Sequence, residues 1–281
     1  MKTDCPAEIL DLGFSKEPLS PLPVEESRIW RYMDLAKFVA MLQHGALYFP
    51  VMAKLGDDLE AAPPRLPTDA DEIERQRLFS FWSVCRCTLF ASCWHLAEDE
   101  SAAMWAIYAG RHQGIVIQSK ISTLLTAFPA AEQEDMNKML KIGRVEYIDP
   151  DLENRAEKFP NLYAAVLRKR HWYRYEDEIR IICSQSENWV PNTSTQEGER
   201  FCRSGVWVRC DLRKLIQRVV VAPKAPSYLK PAVSEIFKRF GFDPASVHDS
   251  RLNETVRAPD PEKVHAEVLA LIRNSSPNDP R

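Results

Sequence analysis

Glycine is scarce in this chain, with 9 glycines against 20 prolines in 281 residues. Its loops are therefore punctuated by the fixed φ of proline more than by flexible backbone. Neither G-x-G-x-x-G nor a P-loop occurs, and H-E-x-x-H and G-x-S-x-G are missing too. These absences argue against the common nucleotide-binding, zincin and hydrolase classes, though not against enzymes with sparse signatures. No stretch approaches the ~20 apolar residues that span a bilayer. The opening MKTDCPAEILDLG carries acids and no apolar run of signal length. A cytoplasmic chain with reduced thiols is the expectation. No repeat and no low-complexity tract occurs.

What is present is a core-forming composition. Hydrophobic residues make up 45% of the chain, enough for one large core. Charged residues make up 27% and the formal net charge is -3, so the whole is no general DNA coat. A local basic patch can still grip phosphates. Residues 1–27 are proline-rich and poorly patterned and read as a loosely packed arm. Residues 28–250 read as a single α+β domain, and 251–281 as a last helix with a disordered tail.

The periodicities give the elements. Arg28 to Met33 reads as a first strand, with Asp34 capping a helix that ends at Gly45. Ala46 to Phe49 is a short strand, and Asp69 to about Phe81 a charged helix. Thr88 to His95 reads as a central strand and Gly114 to Gln118 as a buried one. Helical stretches run on to about Lys141, and Val145 to Ile148 is a strand. Leu162 to Arg170 is a helix, and Gly198 to Gly205 a loop tip. Val206 to Cys210 and Arg218 to Ala222 are strands. Ser227 to Phe240 is an amphipathic helix, Val247 to Ser250 an edge strand, and Pro261 to Arg273 the last helix. The order is too irregular for a doubly wound sheet. It predicts an α+β fold of mostly antiparallel strands, in one sheet or a split sheet, with helices around them.

The segment with the most chemistry is RKRHWYRYEDEIRII, Arg168 to Ile182. Read as a strand, it places Glu176, Glu178 and Arg180 on one face and Ile179 and Ile181 on the other. Carboxylates on one face can divide roles, one orienting and one acting on the reacting group. The plainer reading is a solvated ion-pair ladder. Arg31 lies mid-strand between Trp30 and Tyr32 and would meet an anion if the first strand lies beside this one. The run of Arg168, Lys169, Arg170, His171, Trp172, Tyr173 and Arg174 suits phosphates and stacked bases. It also suits a helix end. Ser101, Met104, Trp105 and Tyr108 recur at helical spacing and read first as core. Trp94 and Tyr108 are the candidates for an aromatic wall. Cys85, Cys87, Cys93 and His95 could hold zinc, but C-x-C departs from the usual spacing. Cys93 beside His95 is a nucleophile candidate without a third partner.

Three blocks carry a resemblance. RYMDLAKFVAML with ALYFP, then SCWHLAEDESAAMWAIYAGRHQGIVIQ, then KRHWYRYEDEIRII resemble the uncharacterised bacterial domain-of-unknown-function family 2971 over roughly residues 29 to 225. That family name implies no activity. The order of an early arginine, a middle serine and a late E-x-E is also similar to ADP-ribosyltransferases of the R-S-E type. This second resemblance implies an ADP-ribosyltransferase-like core and NAD as the substrate. It implies Glu178 and Glu176 as catalytic residues, with Arg31, Tyr32, Ser92, Trp94 and Tyr108 around the dinucleotide. Arg170, Trp172, Arg174 and Arg180 would face an acceptor, which could be nucleic acid or protein, and no metal is expected. The chain departs from the pattern in reading S-C-W where S-T-S is usual. It would act as a transferase or NAD glycohydrolase, as a toxin or defence effector. Two other classes fit the same residues: a non-catalytic nucleic-acid- or partner-binding module of a stress or defence system, and a metal-dependent nuclease using Glu176 and Glu178.

Overall fold

The computed structural model describes residues 8–56, 71–131, 139–149, 163, 166–185, 204–254, 265 and 268–269. Thirteen strands occur among them. They are β1 (Ile9–Leu10), β2 (Gly13–Phe14), β3 (Arg28–Asp34), β4 (Ala46–Pro50), β5 (Leu89–Leu96), β6 (Gly114–Lys120), β7 (Met139–Arg144), β8 (Glu146–Ile148), β9 (Arg168–Arg170), β10 (Glu178–Ser184), β11 (Gly205–Arg209), β12 (Arg218–Val221) and β13 (Val247–Asp249). Helices α1 (Leu35–His44), α2 (Glu72–Thr88), α3 (Ala102–Tyr108) and α4 (Ile121–Thr126) lie between them, and the helix Leu229–Arg239 comes late. The fold is α+β. Its main sheet has the order β13-β12-β6-β3-β5-β10-β7-β2, and all of its inner pairings are antiparallel. Only the outermost strands, β13 and β2, pair in parallel. A three-stranded sheet β1-β11-β4 and a pair β8-β9 complete it.

Capping residues set the helix starts. The Asp34 carboxylate accepts from the Lys37 N–H at 2.8 Å, and Gly45 closes α1 at φ 58°. Asp71 does the same for Glu74 at 2.6 Å. Helix α2 then runs on past Phe81 to Thr88, because no breaker interrupts SFWSVCRCT.

The main sheet is split in its middle. Strand β3 pairs with β6 from Arg28 to Asp34 but with β5 only at Ile29 and Trp30. Beyond that point the two strands diverge. One face of the sheet carries the largest apolar cluster, with Ile29, Phe90, Trp94, Ile115, Ile117, Ile179, Ile181, Val219 and Val221 all at most 1% exposed. The other face carries two smaller clusters. One packs Trp82 and Cys85 of α2 on Leu89, Ala91 and Ile182, and the other packs Met104 and Trp105 of α3 on Trp30, Tyr32, Val116 and Val220.

Several expectations are corrected. Residues 8–27 are not a loose arm, because β1 extends β11, β2 extends β7, and Leu12 and Phe14 are buried. Strands of two residues have no period to detect. Met139–Lys141 is strand, not helix; as part of β7 it is the outer partner that β10 requires. The strand expected over Val145–Ile148 begins at Glu146 and pairs with β9, outside the main sheet. Helix geometry stops before Arg168, where β9 begins. Most of Gly198–Gly205 and of Pro261–Arg273 lies outside the described residues.

Candidate active site

The strand β10 is built to be central. Isoleucines at 179, 181 and 182 favour extended backbone. It is hydrogen-bonded on one side to β5 and on the other to β7, and all seven of its residues are buried. A charged pair inside such a strand must be satisfied locally. Glu178 and Arg180, two residues apart, satisfy each other in a fork. Arg180 Nε donates to Glu178 Oε1 and Nη2 to Oε2, both at 2.9 Å. Arg180 Nη1 also donates to the Val166 carbonyl at 2.6 Å.

Glu176 does not share the strand with Glu178. It ends a 3-10 helix over His171–Glu176, and Asp177 then turns the chain at φ 33°. The Asp177 carboxylate is held outside by Arg144 at 2.8 Å. This left-handed residue breaks the alternation, yet it brings the two carboxylates to one cation. Lys169 Nζ lies 2.6 Å from Glu176 Oε2 and 3.5 Å from Glu178 Oε2. Tyr108 Oη donates to Glu176 Oε1 at 2.6 Å. His95 Nδ1–H donates to the Glu176 carbonyl at 2.5 Å. The Glu178 N–H donates to Tyr147 Oη at 3.0 Å, and the Cys93 thiol hydrogen-bonds to the Glu178 carboxylate.

The four charges balance, two cations against two carboxylates, and Lys169, Glu176, Glu178 and Arg180 are all buried. Their environments push the two carboxyls apart. Burial raises the Glu176 pKa, and Lys169 and Tyr108 only partly offset it. Burial opposes ionisation of Glu178 too, but Arg180 and Lys169 outweigh it and hold the group at about 2. Burial beside Glu176 also pushes the Tyr108 phenol up, so it stays a donor.

Cross-strand register shows what else shares this face, since paired residues project to the same side. Arg218 pairs with Gln118, Gln118 with Trp30, Trp30 with His95, and His95 with Glu178. One row of side chains thus crosses five strands. Tyr32 is on this face as well, 6.2 Å from the His95 ring, with its Oη accepting the Ser101 N–H at 2.8 Å.

Arg31, Ser92 and Trp94 face the other way. Arg31 Nη1 donates to Ser92 Oγ, Nη2 donates to the Tyr48 carbonyl at 2.6 Å, and its guanidinium lies 5.8 Å from the Trp94 ring. Trp94 Nε1 donates to the same Ser92 Oγ at 3.1 Å. Arg31 therefore does not meet Glu178. It ties β3 to β5 and β4 where the sheet divides, and desolvation there lowers its pKa to about 10. Arg180, expected to face an acceptor, is engaged by Glu178. Arg170, Trp172 and Arg174 lie on the rim of the cluster. The Arg170 guanidinium sits 5.4 Å from the Trp172 ring and 5.5 Å from the Tyr173 ring, and Trp172 is 56% exposed.

The cysteine constellation does not assemble. Cys85 and Cys87 lie on α2, whereas Cys93 and His95 lie on β5. Among the described residues no group of three metal-ligating side chains occurs. Burial pushes the Cys85 thiol up to about 12. Sequence reasoning missed Lys169, the hub of the cluster. Its signal is parity: in the three-residue strand β9, Lys169 is buried while Arg168 and Arg170 are half-exposed. It missed Tyr147 and the row through Gln118 and Arg218 as well.

No family model matches the chain and no curated protein matches it, so the resemblance to family 2971 goes no further. Two solved structures of Thermus sp. 2.9 DarT are similar in fold. The complex with ADP-ribosylated ssDNA aligns with a TM-score of 0.37 at 11% identity, covering 83% of this chain and 98% of that one. The complex with carba-NAD+ aligns with a TM-score of 0.33 at 10% identity, covering 82% and 97%.

Proposed function

We propose that this chain cleaves an N-glycosidic bond, with NAD as the donor, and transfers the ADP-ribosyl group to an acceptor at the Glu176–Glu178 cluster. The supporting observation is geometric: two buried carboxyls meet at one cation, with Lys169 Nζ 2.6 Å from Glu176 and 3.5 Å from Glu178, and their surroundings raise the first pKa and lower the second. Such a split assigns an anion and a proton carrier within one site. Glu178, held ionised by Arg180 and Lys169, stabilises the positive charge that develops on the ribose in this reading. As the bond between ribose and nicotinamide breaks, its electron pair moves to the ring nitrogen and cancels the charge there. The acceptor attacks the ribosyl carbon and passes its proton to Glu176, whose pKa burial raises. Tyr108, 41% exposed and bonded to Glu176, is the group that swings aside to admit substrate. His95 and Tyr32 line the approach. Arg31, Ser92 and Trp94 lie on the opposite face of the sheet, where they bond to one another.

The acceptor side of this reading is the rim. Trp172 and Tyr175 are exposed, and Arg170 and Arg174 flank them. Exposed rings beside cations suit stacked bases of single-stranded nucleic acid.

The test is nicotinamide release from NAD by the purified chain, with and without single-stranded DNA or RNA. Wild type should release it, and Glu178→Gln should lower the rate by about 10²–10³-fold with the fold retained. Equal rates in the two proteins would remove Glu178 from the chemistry. A second reading has its own observation. Each carboxylate oxygen of the cluster already has a partner, as a structural ion-pair network would. On that reading the chain is a binding module, and it predicts salt-dependent nucleic-acid binding without release of nicotinamide.

A further inference from the structure

At the far end of the row that ends in Glu178 lies a cavity of about 220 Å³. Trp30, Gln118, Arg218 and Val220 of the sheet face are among the residues that line it. Gln118 and Arg218 stand directly opposite each other on β6 and β12. Gln118 is 6% exposed, and its Oε1 has no hydrogen-bond partner among the described residues. The Nε of Arg218 is buried and equally without a partner there. A buried acceptor and a buried donor left without partners carry an unmet desolvation cost that a ligand bonding to both would remove.

The rim of the cavity makes a contrast, because its charges are satisfied. Arg28 pairs with Glu98, and Arg251 pairs with Asp99 at 3.0 Å. Glu100 accepts from Trp105 Nε1 at 2.9 Å and from Ser250 Oγ at 2.6 Å. Unmet capacity is therefore concentrated on the sheet face, where one group wants a donor and its neighbour an acceptor.

We propose that this cavity binds the donor–acceptor edge of a small planar nitrogenous ring, the edge shared by a ring carboxamide and an aminopurine. The ligand N–H would donate to Gln118 Oε1, and its adjacent oxygen or ring nitrogen would accept from Arg218 Nε–H. The size agrees. The space exceeds several waters, at ~30 Å³ each, but is smaller than the roughly 300 Å³ at which drug-sized pockets begin. One ring fits, and a dinucleotide does not. The site needs no chemistry at Glu178 and is tested by binding alone.

Isothermal titration of the full chain with nicotinamide and, separately, with adenine distinguishes the two sources of this edge. Binding of either at sub-millimolar strength is expected, weakened at least tenfold by Gln118→Leu or Arg218→Met. Gln118→Glu seats a carboxylate against Arg218, so it should keep the thermal transition and abolish binding. If neither probe binds at millimolar concentration, the two groups are bridged by water and the proposal is overturned. Binding that survives all three substitutions overturns it as well. Nicotinamide release is not a readout here, so this proposal and the one above fail separately.

Discussion

At the residue scale, one lysine decides the character of the cluster. Lys169 is flanked by two arginines in the sequence, and all three read as one basic run. Only Lys169 turns inward, to stand between two buried carboxylates. Its effect is testable through acid stability. Glu178 ionises at about 2 in the folded chain, against an ordinary value of 4.5. Between those values the folded state holds fewer protons than the unfolded one, so stability falls as pH drops from about 4.5 to about 2. Glu176 has the opposite sign, because its raised pKa makes its contribution weaken as pH rises through its folded value. Urea unfolding of wild type at a series of acid pH values should show the falling limb. The Glu178→Gln variant should be less stable at neutral pH and should lack most of that limb. A limb of unchanged slope in the variant would place the acid sensitivity elsewhere.

At the element scale, the decisive feature is the turn between the 3-10 helix and β10. E-D-E-I-R reads as a strand with both glutamates on one face. The left-handed Asp177 cancels that alternation, yet both side chains reach the same lysine. Local pattern could not foresee this, because aspartate adopts positive φ only where its surroundings demand it. Asp177→Gly should be nearly neutral, since relief of the backbone offsets loss of the exposed Arg144 pair. Asp177→Val should cost about 1–2 kcal/mol or more, read as a lower unfolding midpoint. Equal stability of the two variants would mean that the left-handed turn is not held in solution. Strand β3 shows a related gap between pattern and fold. Its alternation correctly separates Ile29 and Arg31 from Trp30 and Tyr32. Which pair faces the carboxylates follows from the pairing of Trp30 with His95, and that register is a tertiary fact.

At the scale of the whole molecule, the first described residues belong to the core. Strands β1 and β2 extend two different sheets and bury Leu12 and Phe14. Deleting residues 1–14 should therefore cost about 3–6 kcal/mol, at ~1.5–3 kcal/mol for each of the two large apolar side chains, Leu12 and Phe14. Thermal unfolding of the truncated chain measures it, and an unchanged midpoint would make this segment dispensable. The sequence by itself determined the α+β class, the positions of β3, β5, β6, β10, β11 and β12, and the caps at Asp34 and Gly45. Those follow from period, propensity and capping chemistry, which act within a few residues. Only the tertiary structure decided that Arg31 lies behind the sheet, that Lys169 joins the two carboxylates, and that Gln118 and Arg218 share their face. Each depends on which strands pair and in what register, and pairing is set by contacts between residues far apart in the chain.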